Sequence, residues 1–231
     1  MFVLRRIFFL FLLFVSYAFA NTEIVNFDAS EQINARITNE DEWPTINPST
    51  NQTVFTVTPA PLGTHMNAVC ASPQDLLSKT PNCVHEVWIK LDLDESEWKR
   101  YRKFTLRVSW PGSSPADFGI SILNPEATAS RFAGSLAVPP APAMTRVKFA
   151  RIRVVDTGVI SPMSGLLEVR PVSFIVTVEP LYLGLIPASL IPFLWTLIPV
   201  VLVAALMVPY IHTYLQKVAE RAKSEKVGKK D

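Results

Sequence analysis

Through the middle of the chain, apolar and polar residues take turns at every second position. Val87, Ile89, Leu91 and Leu93 alternate with Trp88, Lys90, Asp92 and Asp94, and Phe104, Leu106, Val108 and Trp110 alternate with Lys103, Thr105, Arg107 and Ser109. A half-buried antiparallel strand has this period, because successive side chains point to opposite faces. Phe118, Ile120 and Ile122 mark a third strand, residues 147–155 and 172–178 two more, and residues 53–59 another. Between Asn21 and Pro180 no amphipathic helix of useful length stands out, and residues 72–78 and 95–102 read as single turns. Pro-, Gly- and Ser-rich breaks separate the strands. The expected fold class is therefore all-β: an immunoglobulin-like antiparallel β-sandwich over residues 21–180, followed by a single C-terminal transmembrane helix.

The two ends have a different pattern. Residues 1–20 carry Arg5 and Arg6, an apolar core over residues 7–15, and Ala18-Phe19-Ala20. These are the basic, apolar and A-x-A parts of a secretory signal peptide, with cleavage expected after Ala20. Residues 181–216 hold no Asp, Glu, Lys or Arg, and about 20 apolar residues suffice to cross a bilayer. The span is placed at residues 190–211, with residues 181–189 as an interfacial approach; Trp195, Tyr210 and Tyr214 suit the headgroup boundary. The tail, residues 212–231, sets Lys217, Arg221, Lys223, Lys226, Lys229 and Lys230 against Glu220, Glu225 and Asp231. Positive residues beside a span stay in the cytoplasm. The expected topology is type I, with residues 21–180 lumenal or outside. The formal net charge of +2 hides a mildly acidic ectodomain, and no nucleic-acid partner is expected.

The ectodomain holds both cysteines, Cys70 and Cys83. In an oxidising compartment two such cysteines pair, so a disulfide is expected. His65 and His85 flank them, but H-x4-C and C-x-H match none of the usual zinc spacings; no metal and no cofactor are expected. Asn51-Gln52-Thr53 is a glycosylation sequon, whereas Asn47-Pro48-Ser49 is blocked by its proline.

Trp110-Pro111-Gly112-Ser113-Ser114-Pro115 reads as a turn, since a serine hydrolase would need a G-x-S-x-G elbow and a histidine base. Asp92-Leu93-Asp94 reads as a strand end: nucleotide-sugar chemistry would need a βαβ domain that the pattern lacks. The cluster Trp98-Lys99-Arg100-Tyr101-Arg102-Lys103 has two readings, a solvated strand edge and a surface for anionic lipid headgroups or an acidic partner. The edge is the favoured one. Residues 137–144 form a proline-rich break. Pro192, Pro199 and Pro209 interrupt the span, and repeated kinks suit packing against other membrane subunits better than passive anchoring.

With no plausible active site, the chain is expected not to be an enzyme. It reads as a non-catalytic accessory or stabilising subunit of a hetero-oligomeric membrane complex, seated in the bilayer of the endoplasmic reticulum. In architecture it looks like the small type I accessory subunits of reticulum machines, namely translocon-associated or membrane-insertase subunits and stabilisers of glycolipid or GPI mannosyltransferases. Lys229 stands third from the end as in a dilysine signal, with Gly228 in place of the second lysine. The alternatives are an adhesion or receptor-type module at the plasma membrane, and a small enzyme or metal protein using His65, His85 and the cysteines.

Overall fold

The computed structural model describes residues 20–35, 37, 40–71, 83–132, 144–158 and 170–227. Residues 1–19 of the expected signal peptide, the turn at 72–78, nearly all of the proline-rich break and the last four residues, with Lys229 and Lys230, lie outside them. The chain divides into two units, Met1–Leu185 and Ile186–Asp231.

In the first unit the described residues form β1 (Ala20–Asp28), β2 (Gln32–Ile33), β3 (Thr45–Ile46), β4 (Gln52–Val57), β5 (Glu86–Leu91), β6 (Lys103–Pro111), β7 (Ala116–Leu123), α1 (Pro125–Phe132), β8 (Met144–Thr145), β9 (Lys148–Asp156) and β10 (Val172–Tyr182). β1, β6, β10 and β4 lie side by side in that order, each pair antiparallel. A second sheet runs β3-β5-β9-β7, and β2 pairs with β8 in a third. The inward residues of the two larger sheets meet in one core: Phe104, Leu106, Val108, Phe174, Val176 and Val178 from one side, Ile89, Leu91, Phe118, Ala150, Ile152 and Val154 from the other. The turn after Trp110 carries the chain from the first sheet to the second, and Ser114 N–H donates to the Pro111 carbonyl across it at 2.9 Å.

Three features depart from the sequence expectation. The pair β3–β5 is parallel, where an antiparallel sandwich was expected; β3 is a two-residue edge reached from a short 3-10 turn, Glu40–Glu42, so no hairpin dictates its direction. α1 is a helix in a region read as free of one. Pro125 pre-sets its first turn and Glu126 favours its N-terminus, but only Pro125, Thr128 and Ala129 are buried, too few to make a periodic signal. Trp88 was placed on the polar face of its strand. It is buried instead in a second core with Trp43, Phe149 and Ala129, its ring 5.4 Å from Trp43 and 4.8 Å from Phe132. The β5–β9 layer is therefore covered on both faces.

Arg146, only 6% exposed, ties the loops at one end of this core. Its Nε donates to the Ala29 carbonyl at 3.0 Å, its Nη1 to the carbonyls of Leu93 at 3.1 Å and Lys99 at 3.0 Å, and its Nη2 to that of Tyr101. Its backbone N–H donates to the Asp94 carboxylate at 3.2 Å, which also accepts from Thr145 Oγ1 at 2.6 Å. Asp92 in turn accepts from Asp94 N–H at 3.1 Å. The acidic Asp92-Leu93-Asp94 stretch is thus occupied in fastening a strand end, as expected.

Replacing Arg146 by Met strands several buried carbonyls, a loss of about 3–5 kcal/mol. Thermal unfolding of the detergent-solubilised chain should move down by at least about 6 °C. Arg146→Lys should recover only part of it, because one ammonium cannot reach acceptors spread around a planar fork. A midpoint unchanged in Arg146→Met would mean that the loops hold themselves.

Candidate functional site

The basic–aromatic cluster folds as a turn. Lys99 N–H and Trp98 N–H both donate to the Glu95 carbonyl at 3.0 Å, and Tyr101 N–H donates to that of Trp98 at 3.0 Å. Trp98 is buried, its ring 5.4 Å from Phe104 and edge-on to it, and it anchors the turn to the core. Lys99, Arg100, Arg102 and Lys103 point outward and are exposed, as are Glu95 and Glu97 earlier in the turn. The Arg100 guanidinium stands 4.9 Å from the centre of the Tyr101 ring. A shallow cleft of about 330 Å³ opens between Trp98, Arg100, Tyr101 and Pro180.

That turn packs against the end of β10. The rings of Tyr101 and Tyr182 are 5.3 Å apart and their hydroxyls share a 3.0 Å hydrogen bond; this shared bond holds the Tyr182 hydroxyl above its ordinary pKa. After Tyr182 the chain reverses at Leu183 and Gly184, with φ of 53° and 72°. Gly184 N–H donates to the Leu181 carbonyl at 3.2 Å and Leu185 N–H to the Tyr182 carbonyl at 3.1 Å. The Lys103 stem lies along the turn, its Cδ 3.2 Å from where a Cβ on Gly184 would stand. Leu183 is 93% exposed and Leu185 80%. A leucine in the left-handed region costs about 1–2 kcal/mol that glycine would not, and here that cost holds an apolar side chain in the open.

A second cluster lies on the β5–β9 face. The Glu86 carboxylate accepts from Arg151 Nε at 2.6 Å and from Trp88 Nε1 at 2.8 Å. Arg151 Nη2 donates to the Val69 carbonyl at 3.1 Å, Arg131 Nη2 to that of Cys70 at 3.1 Å, and Arg153 Nη1 to that of Met66 at 2.7 Å. Burial, followed by repulsion from Arg151, holds the guanidinium pKa values of Arg131 and Arg153 below their usual level. The three arginines brace a segment whose Cys70 is bonded to Cys83. Both sulfurs are consumed by that disulfide, so they offer no thiolate to a metal, and His85 Nδ1 sits 2.8 Å from the Thr58 carbonyl. Among the described residues no three of His, Cys, Asp and Glu are gathered as a metal site.

On the outer face of the β1-β6-β10-β4 sheet, Val54, Ser109, Trp110, Pro111 and Ile175 line an apolar depression of about 500 Å³. Asn51 is exposed at the start of β4, its carbonyl accepting from Val178 N–H at 2.9 Å; its side chain is open to a glycan.

The second unit has β11 (Ile186–Pro187), a 3-10 turn (Ala188–Leu190) and α2 (Ile191–Val227), one uninterrupted helix. α2 is long and apolar enough to cross a membrane. With the disulfide, this fits a membrane-anchored domain of the lumenal or extracellular kind. The helix runs on well past Ile211, so the backbone of the expected tail is helical through Lys217, Arg221, Lys223 and Lys226. Pro199 and Pro209 are inside it. Pro192 sits in the first turn, where no N–H is needed and no kink follows. The residues 181–189 expected as one interfacial approach comprise the end of β10, the Leu183–Gly184 turn and β11. Tyr182 and Leu183 fall within that expected approach, but the contact of Tyr182 with the cluster at residues 98–103 had no signal in the sequence, because the run around it has no charge to mark a boundary.

No family model, no curated protein and no solved structure matches the chain.

The strained turn predicts two opposite responses. Leu183→Asn should raise domain stability by about 0.5–1 kcal/mol, since Asn tolerates this backbone and no packing is lost. Gly184→Ala should lower it by about 1 kcal/mol. Thermal melts of both variants check this, and a destabilised Leu183→Asn would show that the leucine is packed.

Proposed function

We propose that the chain is a single-pass type I membrane protein of the endoplasmic reticulum acting as a non-catalytic accessory or stabilising subunit of a membrane complex. On this reading residues 1–20 are removed as a signal peptide. The domain that follows is a two-layer, immunoglobulin-like β-sandwich in the lumen, supported by the single core that both larger sheets fill. The C-terminal residues are cytoplasmic, by the bias of basic residues toward that side.

The observation that carries the proposal is α2. A helix so apolar, with none of its most hydropathic window buried, carries two internal prolines that a passive anchor does not need. Pro199 and Pro209 leave the carbonyls of Trp195 and Ala205 without their i+4 donors. In hydrocarbon such carbonyls are satisfied by neighbouring helices or polar groups. A multi-span partner supplies both the cover and the donors, and the complex it belongs to is of the translocation, membrane-protein insertion or glycolipid-mannosyltransferase type. The apolar depression around Val54 and Ile175 supports the alternative, an adhesion or receptor-type module at the cell surface.

Purification in mild detergent through a tag after Asp231, followed by mass spectrometry, should recover a stoichiometric multi-span protein. The double variant Pro199→Leu/Pro209→Leu should retain several-fold less of it while remaining membrane-integrated. Recovery of the chain alone, or with soluble extracellular ligands only, would overturn the proposal. The glycan at Asn51 reports the compartment independently: it should stay high-mannose and sensitive to endoglycosidase H, whereas a complex glycan points to the cell surface.

A further inference from the structure

We infer that the Leu183–Gly184 turn, with Tyr182 and Tyr101 behind it and Lys99, Arg100, Arg102 and Lys103 beside it, inserts into the headgroup layer of the bilayer that α2 crosses. The inference rests on the reading of α2 as a membrane span. Its partner is lipid: phosphate oxygens for the cations and the acyl boundary for the leucines.

Four observations converge on this occupant. Leu183 and Leu185 stand clear of the domain, 93% and 80% exposed, and the first does so in a left-handed backbone for which Gly or Asn would be unstrained. Water gives no reason to keep a strained, bare leucine, whereas the acyl boundary does. The two tyrosines directly behind are hydrogen-bonded to each other; such amphipathic rings collect at headgroup level. The Lys103 stem runs along Gly184, placing an ammonium at the same height, where a long side chain reaches phosphate while its methylenes stay in apolar surroundings. Finally, residues 186–190 are all that separate Leu185 from the first residue of α2, and a chain that short extends no more than about 20 Å. The turn cannot leave the neighbourhood of the membrane that holds the helix.

Glu95 and Glu97 offset part of the basic charge of the same segment. The turn should therefore enter neutral lipid through its leucines and tyrosines, with the cations strengthening contact where phosphate or anionic headgroups are dense.

The test uses the full chain reconstituted in vesicles of phosphatidylcholine alone, and of phosphatidylcholine with phosphatidylserine. Leu183→Cys and, separately, Leu185→Cys are labelled with an environment-sensitive NBD dye; the native cysteines are bonded to each other and do not react. Glu126→Cys, exposed on α1, reports a dye facing water. Melting curves confirm that each labelled variant is folded, and resistance to carbonate extraction confirms that α2 is integrated. Dyes at positions 183 and 185 should emit blue-shifted and be quenched by lipids carrying a nitroxide near the headgroup, unlike the dye at position 126. In the serine-lipid vesicles, Lys99→Gln/Arg100→Gln/Arg102→Gln/Lys103→Gln should reduce quenching at position 183 about twofold or more.

Water-like emission at both 183 and 185 in a carbonate-resistant protein overturns the inference and leaves the span intact. Extraction by carbonate removes the span reading and the inference with it. Shielding at 183 in native microsomes but in neither vesicle assigns the turn to a protein partner, which also overturns it.

Discussion

The buried guanidinium of Arg146 is the interaction on which one whole end of the domain depends. Loops carry main-chain carbonyls that no ladder satisfies, and a carbonyl taken out of water without a donor destabilises the fold. Here a single side chain supplies donors to Ala29, Leu93, Lys99 and Tyr101 at once. Those four residues belong to the segment after β1, the end of the β5 segment, and the basic–aromatic turn. With their carbonyls gathered inward, the side chains of Lys99 and Arg100 are directed out. The shape of the exposed surface follows from what the backbone does beneath it.

The second arginine cluster uses the same chemistry elsewhere. Arg131, Arg151 and Arg153 hold carbonyls of the segment that ends in the disulfide, with Glu86 as the compensating acid. Gly119 makes room beneath, because Met66 occupies the space where any Cβ would project. The bond to Cys83, closing across 13 positions, adds about 3 kcal/mol in the chain-entropy view. An irregular segment is thereby closed by a covalent link and fastened to β9 and α1 by guanidinium hydrogen bonds.

Six strands were legible because apolar residues recur at every second position, whether the intervening face is wet, as in β4, or covered, as in β5 and β9. β1 was not. It is an edge strand whose Ile24 is exposed and whose Val25 and Phe27 are only part-buried, so its identity comes from pairing with β6 along Asn21 to Asp28 rather than from its own pattern. α1 and the two-residue strands are too short to carry a period. Trp88 misled because both faces of β5 are covered, and alternation then marks two cores rather than core and solvent. Of the candidate site, the cluster from Trp98 to Lys103 was visible as composition and assigned first to a solvated edge. Its neighbours Tyr182 and Leu183 are eighty residues away, and only β10 pairing with β6 brings them together. Arg146 had no local signal at all, since an arginine that serves distant carbonyls looks like any other.

The unbroken course of α2 has a mechanical consequence. Its 37 residues make a rod about 55 Å long, while the hydrocarbon layer is about 30 Å thick. Where the helix spans a bilayer as proposed, roughly half of that rod projects beyond the apolar layer. Lys217 and Arg221, four residues apart, share one side of it. Pro199 and Pro209 each remove a backbone hydrogen bond and soften the rod where they sit, whereas the helix from Pro209 to that charged side contains no further proline and swings as one piece about the joint.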